Sequence, residues 1–117
     1  MTHKLVKQLK DAGFPQGLIP GNWFYINKDL YFADKYWKTI AYKKEFTKIP
    51  LLSELIEACG MEFWILENLN NGMWVAKAID REGKEILIKS KTPEEAVAKL
   101  LIKIYEQRSK ASQMEGR

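Results

Sequence analysis

The run Thr92-Pro93-Glu94-Glu95, placed just ahead of residues 96–107, limits most what this chain can fold into. Thr92 suits a helix N-cap, Pro93 the first helical position, and Glu95 at the third completes a capping box. The helix so opened extends to about Gln107. Its apolar residues (Ala96, Val97, Ala98, Leu100, Leu101, Ile102, Ile104 and Tyr105) wrap roughly two-thirds of the circumference, wider than one amphipathic stripe. Glu95, Lys99, Lys103 and Glu106 alone keep a consistent polar side. A helix of this breadth needs cover on two sides, which a sheet and another helix supply. Residues 108–117, RSKASQMEGR, are polar and are expected to form a flexible tail.

Upstream of that helix the pattern changes to short strands. Residues 62–67 (EFWILE) are apolar at successive positions, so alternation points Phe63 and Ile65 to one face and Trp64 and Leu66 to the other. The Asn71-Gly72 pair marks a turn, residues 73–79 a second strand, Asp80-Arg81-Glu82-Gly83 another turn, and residues 84–89 a third strand. Before them, Pro50 opens a helix over LLSELIEACG with Leu51, Leu52, Leu55, Ile56 and Cys59 on one side, and Gly60 ends it. Residues 51–107 thus read as an α-β-β-β-α unit, a three-stranded antiparallel sheet with helices on one face.

The N-terminal part extends this unit. Thr2 caps a first helix through residue 13, with Leu5, Val6, Leu9 and Ala12 on one side and Lys4, Lys7 and Lys10 on the other. Trp23–Ile26 and residues 30–32 flank Asn27-Lys28-Asp29 as a hairpin, and residues 37–42 read as a further strand. The expected fold class is therefore α+β: the C-terminal α-β-β-β-α unit extended by an N-terminal helix and hairpin. A length of 117 residues suits a single domain over 1–107.

Charge is placed unevenly. Residues 1–50 hold nine lysines and four acids, a balance of +5, whereas residues 51–117 hold ten bases and eleven acids, a balance of −1. Nine of the 14 aromatic residues fall within 23–46, several beside lysine, as in Lys35-Tyr36-Trp37-Lys38 and Tyr42-Lys43-Lys44. Rings that stack and cations that meet phosphate are what single-stranded nucleic acid engages. Lys35, Tyr36, Trp37, Lys38, Tyr42, Lys43 and Lys44 are accordingly the candidate contact set for RNA, single-stranded DNA or a protein partner. The competing reading places the rings in the core and the lysines along solvated strand edges. No arginine precedes Arg81, which argues against bidentate reading of bases or phosphates.

Catalytic chemistry is sparse. His3 is the lone histidine and Cys59 the lone cysteine, and Cys59 lies on an apolar helical stripe that favours a structural thiol. A metal cluster or a Cys–His or Ser–His–Asp set would depend on that one His3 near the terminus or on Cys59, and no GxxxxGK(S/T) or GxGxxG loop is present to cradle phosphate. A nuclease-like group of Glu67, Asp80 and Glu82-Gly83-Lys84 is the remaining arrangement that could hold Mg²⁺. The expectation is a non-enzymatic protein with no cofactor and no metal. The start MTHKLVKQLK lacks an apolar h-region, no apolar run approaches the roughly 20 residues of a membrane span, and one cysteine fits a reducing compartment. These point to a cytoplasmic protein of a bacterial host with no membrane partner.

The element order of residues 51–107 is similar to the double-stranded-RNA-binding domain, whose two helices pack on one face of a three-stranded sheet. Where that family carries phosphate-binding lysines at the start of the last helix, this chain has Thr92-Pro93-Glu94-Glu95, so the likeness implies topology and transfers no residue. The segments LKDAGFPQ (9–16), LSELIEACG (52–60) and TPEEAVAKLLIKI (92–104) resemble those of small phage and prophage proteins without assigned activity. In that pattern a threonine caps LSELIEACG, and Leu51 stands there instead. The resemblance implies a phage-encoded binder of a host protein or ribonucleoprotein, such as an inhibitor of a CRISPR effector. The alternative implied by the basic aromatic segment is an accessory protein that binds RNA or single-stranded DNA.

Overall fold

The computed structural model describes the backbone of residues 1–18, 20–33 and 45–115, and the side chains of all of these except 111–115. The chain divides into two compact units, Met1–Leu51 and Leu52–Arg117. The fold class is α+β, with an antiparallel three-stranded sheet in each unit. The charge asymmetry follows the same boundary, since Leu51 carries no charge and the first unit keeps all nine N-terminal lysines.

In the first unit α1 spans His3–Ala12. Thr2 Oγ1 accepts from the Leu5 amide at 3.2 Å, as its position before the helix predicts. Gly13 ends the helix at φ 110°, a left-handed conformation that lets its own amide and that of Phe14 reach back to the Lys10 and Leu9 carbonyls. Leu5, Val6 and Leu9 are buried on the expected stripe. The hairpin is β1 (Trp23–Ile26) against β2 (Asp29–Phe32), tighter than the sequence implied: Asp29 pairs with Ile26, leaving a two-residue loop. Asn27 makes this possible by taking φ 57°.

A third strand, β3 (Thr47–Ile49), pairs antiparallel with β1 to give the order β2-β1-β3. The strand expected over residues 37–42 lies outside the described residues. Phe24 and Ile26 face a core with Leu18 and Ala33, against which Tyr31 and Phe46 pack. Lys48 lies opposite Phe24 on this inner face and is buried. Its Nζ donates to the Gly17 carbonyl at 2.7 Å and its amide to Gln16 Oε1 at 2.8 Å, which keeps both polar groups paired.

In the second unit the elements are α2 (Leu52–Cys59), a one-turn 3₁₀ segment (Gly60–Glu62), β4 (Phe63–Asn68), β5 (Trp74–Ile79), β6 (Glu85–Ser90) and α3 (Pro93–Glu115). The sheet is an antiparallel meander in the order β4-β5-β6. α3 packs on both the sheet and α2, the two-sided cover that its breadth required. Ala96, Val97, Ala98, Leu100, Leu101 and Ile104 are fully buried there. Thr92 Oγ1 accepts from the Glu95 amide at 3.2 Å, while the Glu95 carboxylate accepts from Ser90 Oγ at 3.0 Å. The cap therefore ties the helix start to the end of β6.

Three expectations are corrected in this unit. Leu51 does not join the apolar side of α2; it precedes the helix and is 47% exposed. Residues 108–115 continue α3 as helix, because Arg108 is anchored on α2 and the residues beyond it are mostly helix-compatible. The third correction concerns β4. Phe63 pairs with Ala78 and Ile65 with Lys77, so Trp64 is an extra residue in the ladder, a β-bulge. Leu66 then pairs with Ala76, which sets Phe63 and Leu66 on the face of the buried Ala76 and Ala78. Ile65 lies instead with Lys77 on the opposite face, and strict alternation fails at this one step.

Candidate functional site

The seven residues singled out by sequence (Lys35, Tyr36, Trp37, Lys38, Tyr42, Lys43 and Lys44) lie outside the described residues. The two ends of that segment are described, and both are tied down. On one side Ala33 is buried, donating its amide to the Asn22 carbonyl at 2.7 Å and accepting from the Gly21 amide at 2.8 Å. On the other, Lys10 of α1 donates from Nζ to the Phe46 carbonyl at 2.6 Å and lies 3.2 Å from the Glu45 carboxylate. Phe46 meets Phe24 edge-on at 6.0 Å.

Among the described residues the first sheet exposes a cluster of apolar residues. Trp23 and Phe32 are paired across β1 and β2, their ring centroids 4.9 Å apart and their planes at 57°. They are 47% and 48% exposed, and Leu30, on the same face by alternation, is 52% exposed. Tyr25 lies between them and α1, its ring met edge-on by His3 at 4.7 Å. Sequence reasoning placed Trp23 and Phe32 in a hairpin without selecting them. Alternation against the buried Phe24 was the available signal.

The second sheet has a face of different character that is open in part, Val75 at one end of it being buried. Ile65, Lys77 and Leu87 form one cross-strand row, and Ile79 lies two residues along β5 on the same side. Ile65, Ile79 and Leu87 are all exposed, and Trp64 is 56% exposed. The Lys77 ammonium sits over the Trp64 ring at 5.7 Å from its centroid and 3.7 Å from the Glu85 carboxylate. The bulge thus turns Trp64 onto the same face as Ile65 and brings four large apolar side chains around one lysine.

The acidic group weighed for Mg²⁺ does not assemble. Glu67 pairs with Val75, and Asp80 lies past the far end of the same strand, ~17 Å away at about 3.4 Å per residue. Asp80 Oδ1 instead accepts from the amides of Glu82 and Lys84 at 2.9 and 2.8 Å, closing the β5–β6 turn. Glu82 and Lys84 form an exposed ion pair at 3.8 Å. Among the described residues no group of three or more His, Cys, Asp or Glu is placed to hold a metal ion.

Cys59 is fully buried, and burial pushes its thiol from an ordinary 9.0 up to about 12, against the downward pull of Arg108. It is therefore held in the protonated form at neutral pH. Among the described residues no helix is long and apolar enough to cross a membrane. The chain matches no protein-family model, no curated protein and no solved structure.

Proposed function

We propose that this chain is a non-enzymatic binding protein that docks on a host nucleic-acid-handling complex and inhibits it, CRISPR effectors being one class of such targets. The observation that carries the reading is the open face of the C-terminal sheet. Trp64, Ile65, Ile79 and Leu87 surround Lys77 there, an apolar centre with a tryptophan anchor and a charged residue within it. Interfaces draw most of their binding energy from such anchors, and a clustered apolar face on a small domain marks a contact surface. The likeness of three segments to phage proteins supports a host target, and the dispersal of Glu67 and Asp80 supports action by contact rather than by metal chemistry.

The test is capture from a bacterial host lysate by wild-type protein and by Trp64→Ala, with and without nuclease, followed by activity assays on the captured complex. The reading expects a complex that survives nuclease treatment, is lost with Trp64→Ala, and loses nucleic-acid binding or cleavage when wild-type protein is added. Capture that vanishes with nuclease, or a captured complex whose activity is unchanged by the protein, overturns it.

A further inference from the structure

We infer that the exposed face of the N-terminal sheet is a stacking platform for single-stranded nucleic acid, with Trp23 and Phe32 as the base-contacting rings. This surface lies in the other unit from the docking face assigned above and goes beyond that reading.

Three observations converge. First, Trp23 and Phe32 form a directly cross-paired set of rings, each about half exposed, while the adjacent Phe24 is fully buried. Alternation therefore spends one aromatic on the core and turns the next outward. The outer pair buries only about half of its surface, whereas Phe24 buries all of it. Second, the unit that carries them has nine lysines against four acids in its sequence; among its described residues Lys48 is buried on Gly17 and Lys10 is paired with Glu45, which leaves Lys4, Lys7 and Lys28 as the exposed cations. Lys4 and Lys7, exposed on one side of α1, follow His3, whose ring touches Tyr25 on the same strand as Trp23. The helix start thus stands beside the outward-facing aromatic side of β1 and adds positive charge there. Third, all this charge is lysine. Lysine meets phosphate as a point charge and lacks the planar fork that reads base edges, which suits a surface that tolerates many sequences.

The occupant follows from these facts. A neutral apolar partner would make no use of the excess positive charge, and duplex nucleic acid hides the faces of its bases. A single strand offers both stacking faces and phosphates.

The experiment is fluorescence anisotropy of the full chain with labelled oligothymidine and oligouridine of roughly ten nucleotides, at about 50 and about 200 mM salt. Trp23→Ala and Phe32→Ala are each expected to weaken binding roughly 5- to 100-fold, with Trp23→Phe recovering much of the loss. Lys4→Glu with Lys7→Glu is expected to flatten the salt dependence. Trp64→Ala, in the other unit, serves as control and is expected to bind as wild type. Circular dichroism and melting confirm that each variant folds, and Trp23→Leu, which keeps apolar bulk without a stacking ring and is expected to bind as weakly as Trp23→Ala, keeps the test decisive if the alanine variant does not fold. The inference is overturned if wild type does not bind the single strands or binds duplex equally well. It is also overturned if Trp23→Ala and Trp23→Phe both bind like wild type, or if polyglutamate displaces the oligonucleotide at equal charge. Because Trp64→Ala is the active variant for the docking function and the control here, failure of one reading is separable from failure of the other.

Discussion

The guanidinium of Arg108 donates from Nη2 to the carbonyl oxygen of Cys59 at 3.1 Å, joining the last turns of α3 to the end of α2. The same side chain places Nε 3.7 Å from the Glu62 carboxylate and its guanidinium carbon 5.8 Å from the centre of the Tyr105 ring. One arginine therefore satisfies a helix-end carbonyl, pairs a carboxylate and covers an aromatic. Replacing Arg108 with alanine is expected to cost about 1–3 kcal/mol in urea denaturation, the range for a hydrogen bond from a charged donor. A variant as stable as wild type would show that the helix extension is held by other contacts.

Cys59 sets an alkaline limit on the same region. In the unfolded chain its thiol ionises near 9.0, and in the fold only near 12, so the native state binds the proton more tightly. Stability from this group is complete below pH 9 and declines as pH climbs toward 12. Tyr105, whose phenol is raised from an ordinary 10.0 chiefly by burial, adds to the same decline above pH 10. Denaturation midpoints at about pH 8 and about pH 11 should fall more steeply for wild type than for Cys59→Ala. In the native state at neutral pH the thiol should not react with an aromatic disulfide reagent, and it should react fully in denaturant.

Lys48 turns its ammonium inward onto the Gly17 carbonyl. Lys48→Met keeps the length and apolar stem but removes the donor. The expected loss is about 1–3 kcal/mol, read from the urea midpoint, because the hydrogen bond from the ammonium to the Gly17 carbonyl is lost.

Thr92→Ala removes the hydroxyl that accepts from the Glu95 amide. A loss of about 1 kcal/mol is expected, and Thr92→Ser should restore most of it. Thermal melting of the three proteins is the check.

Trp64→Ala should leave stability within about 0.5–1 kcal/mol of wild type, since the ring is more than half exposed and its ladder position is unpaired. A larger fall in melting would mean that the ring is needed for the fold, and its use as a docking probe would fail.

How far the sequence is legible depends on how local each signal is. Thr2, Gly13, Thr92 and Pro93 mark helix ends through contacts within a few residues, and the structure places helix boundaries beside all four. The breadth of the apolar surface from Ala96 to Ile104 foretold that α3 is covered by both a sheet and α2. β3 escaped because three residues, Thr47–Ile49, are too few to show a period, and its pairing with β1 is a long-range choice. The end of α3 escaped because Arg108 gains its anchors from Cys59 and Glu62, far away in sequence. At the candidate surfaces the difficulty was parity. A run such as Phe63-Trp64-Ile65-Leu66 is apolar throughout, and nothing local says where the ladder slips, so the shared exposure of Trp64 and Ile65 had no sequence signature. The seven basic and aromatic positions chosen by composition, Lys35 to Lys44, lie outside the described residues, and the first unit's described exposed apolar surface is formed by Trp23, Leu30 and Phe32.

The slip in β4 has an evolutionary corollary. A residue inserted between two in-register stretches owes nothing to the ladder on either side, so its side chain can change size, charge or polarity while Phe63 and Leu66 keep their seats against the alanines of β5. On the docking reading proposed above, position 64 is thus a place where recognition could drift from one target variant to another without the sheet having to be rebuilt.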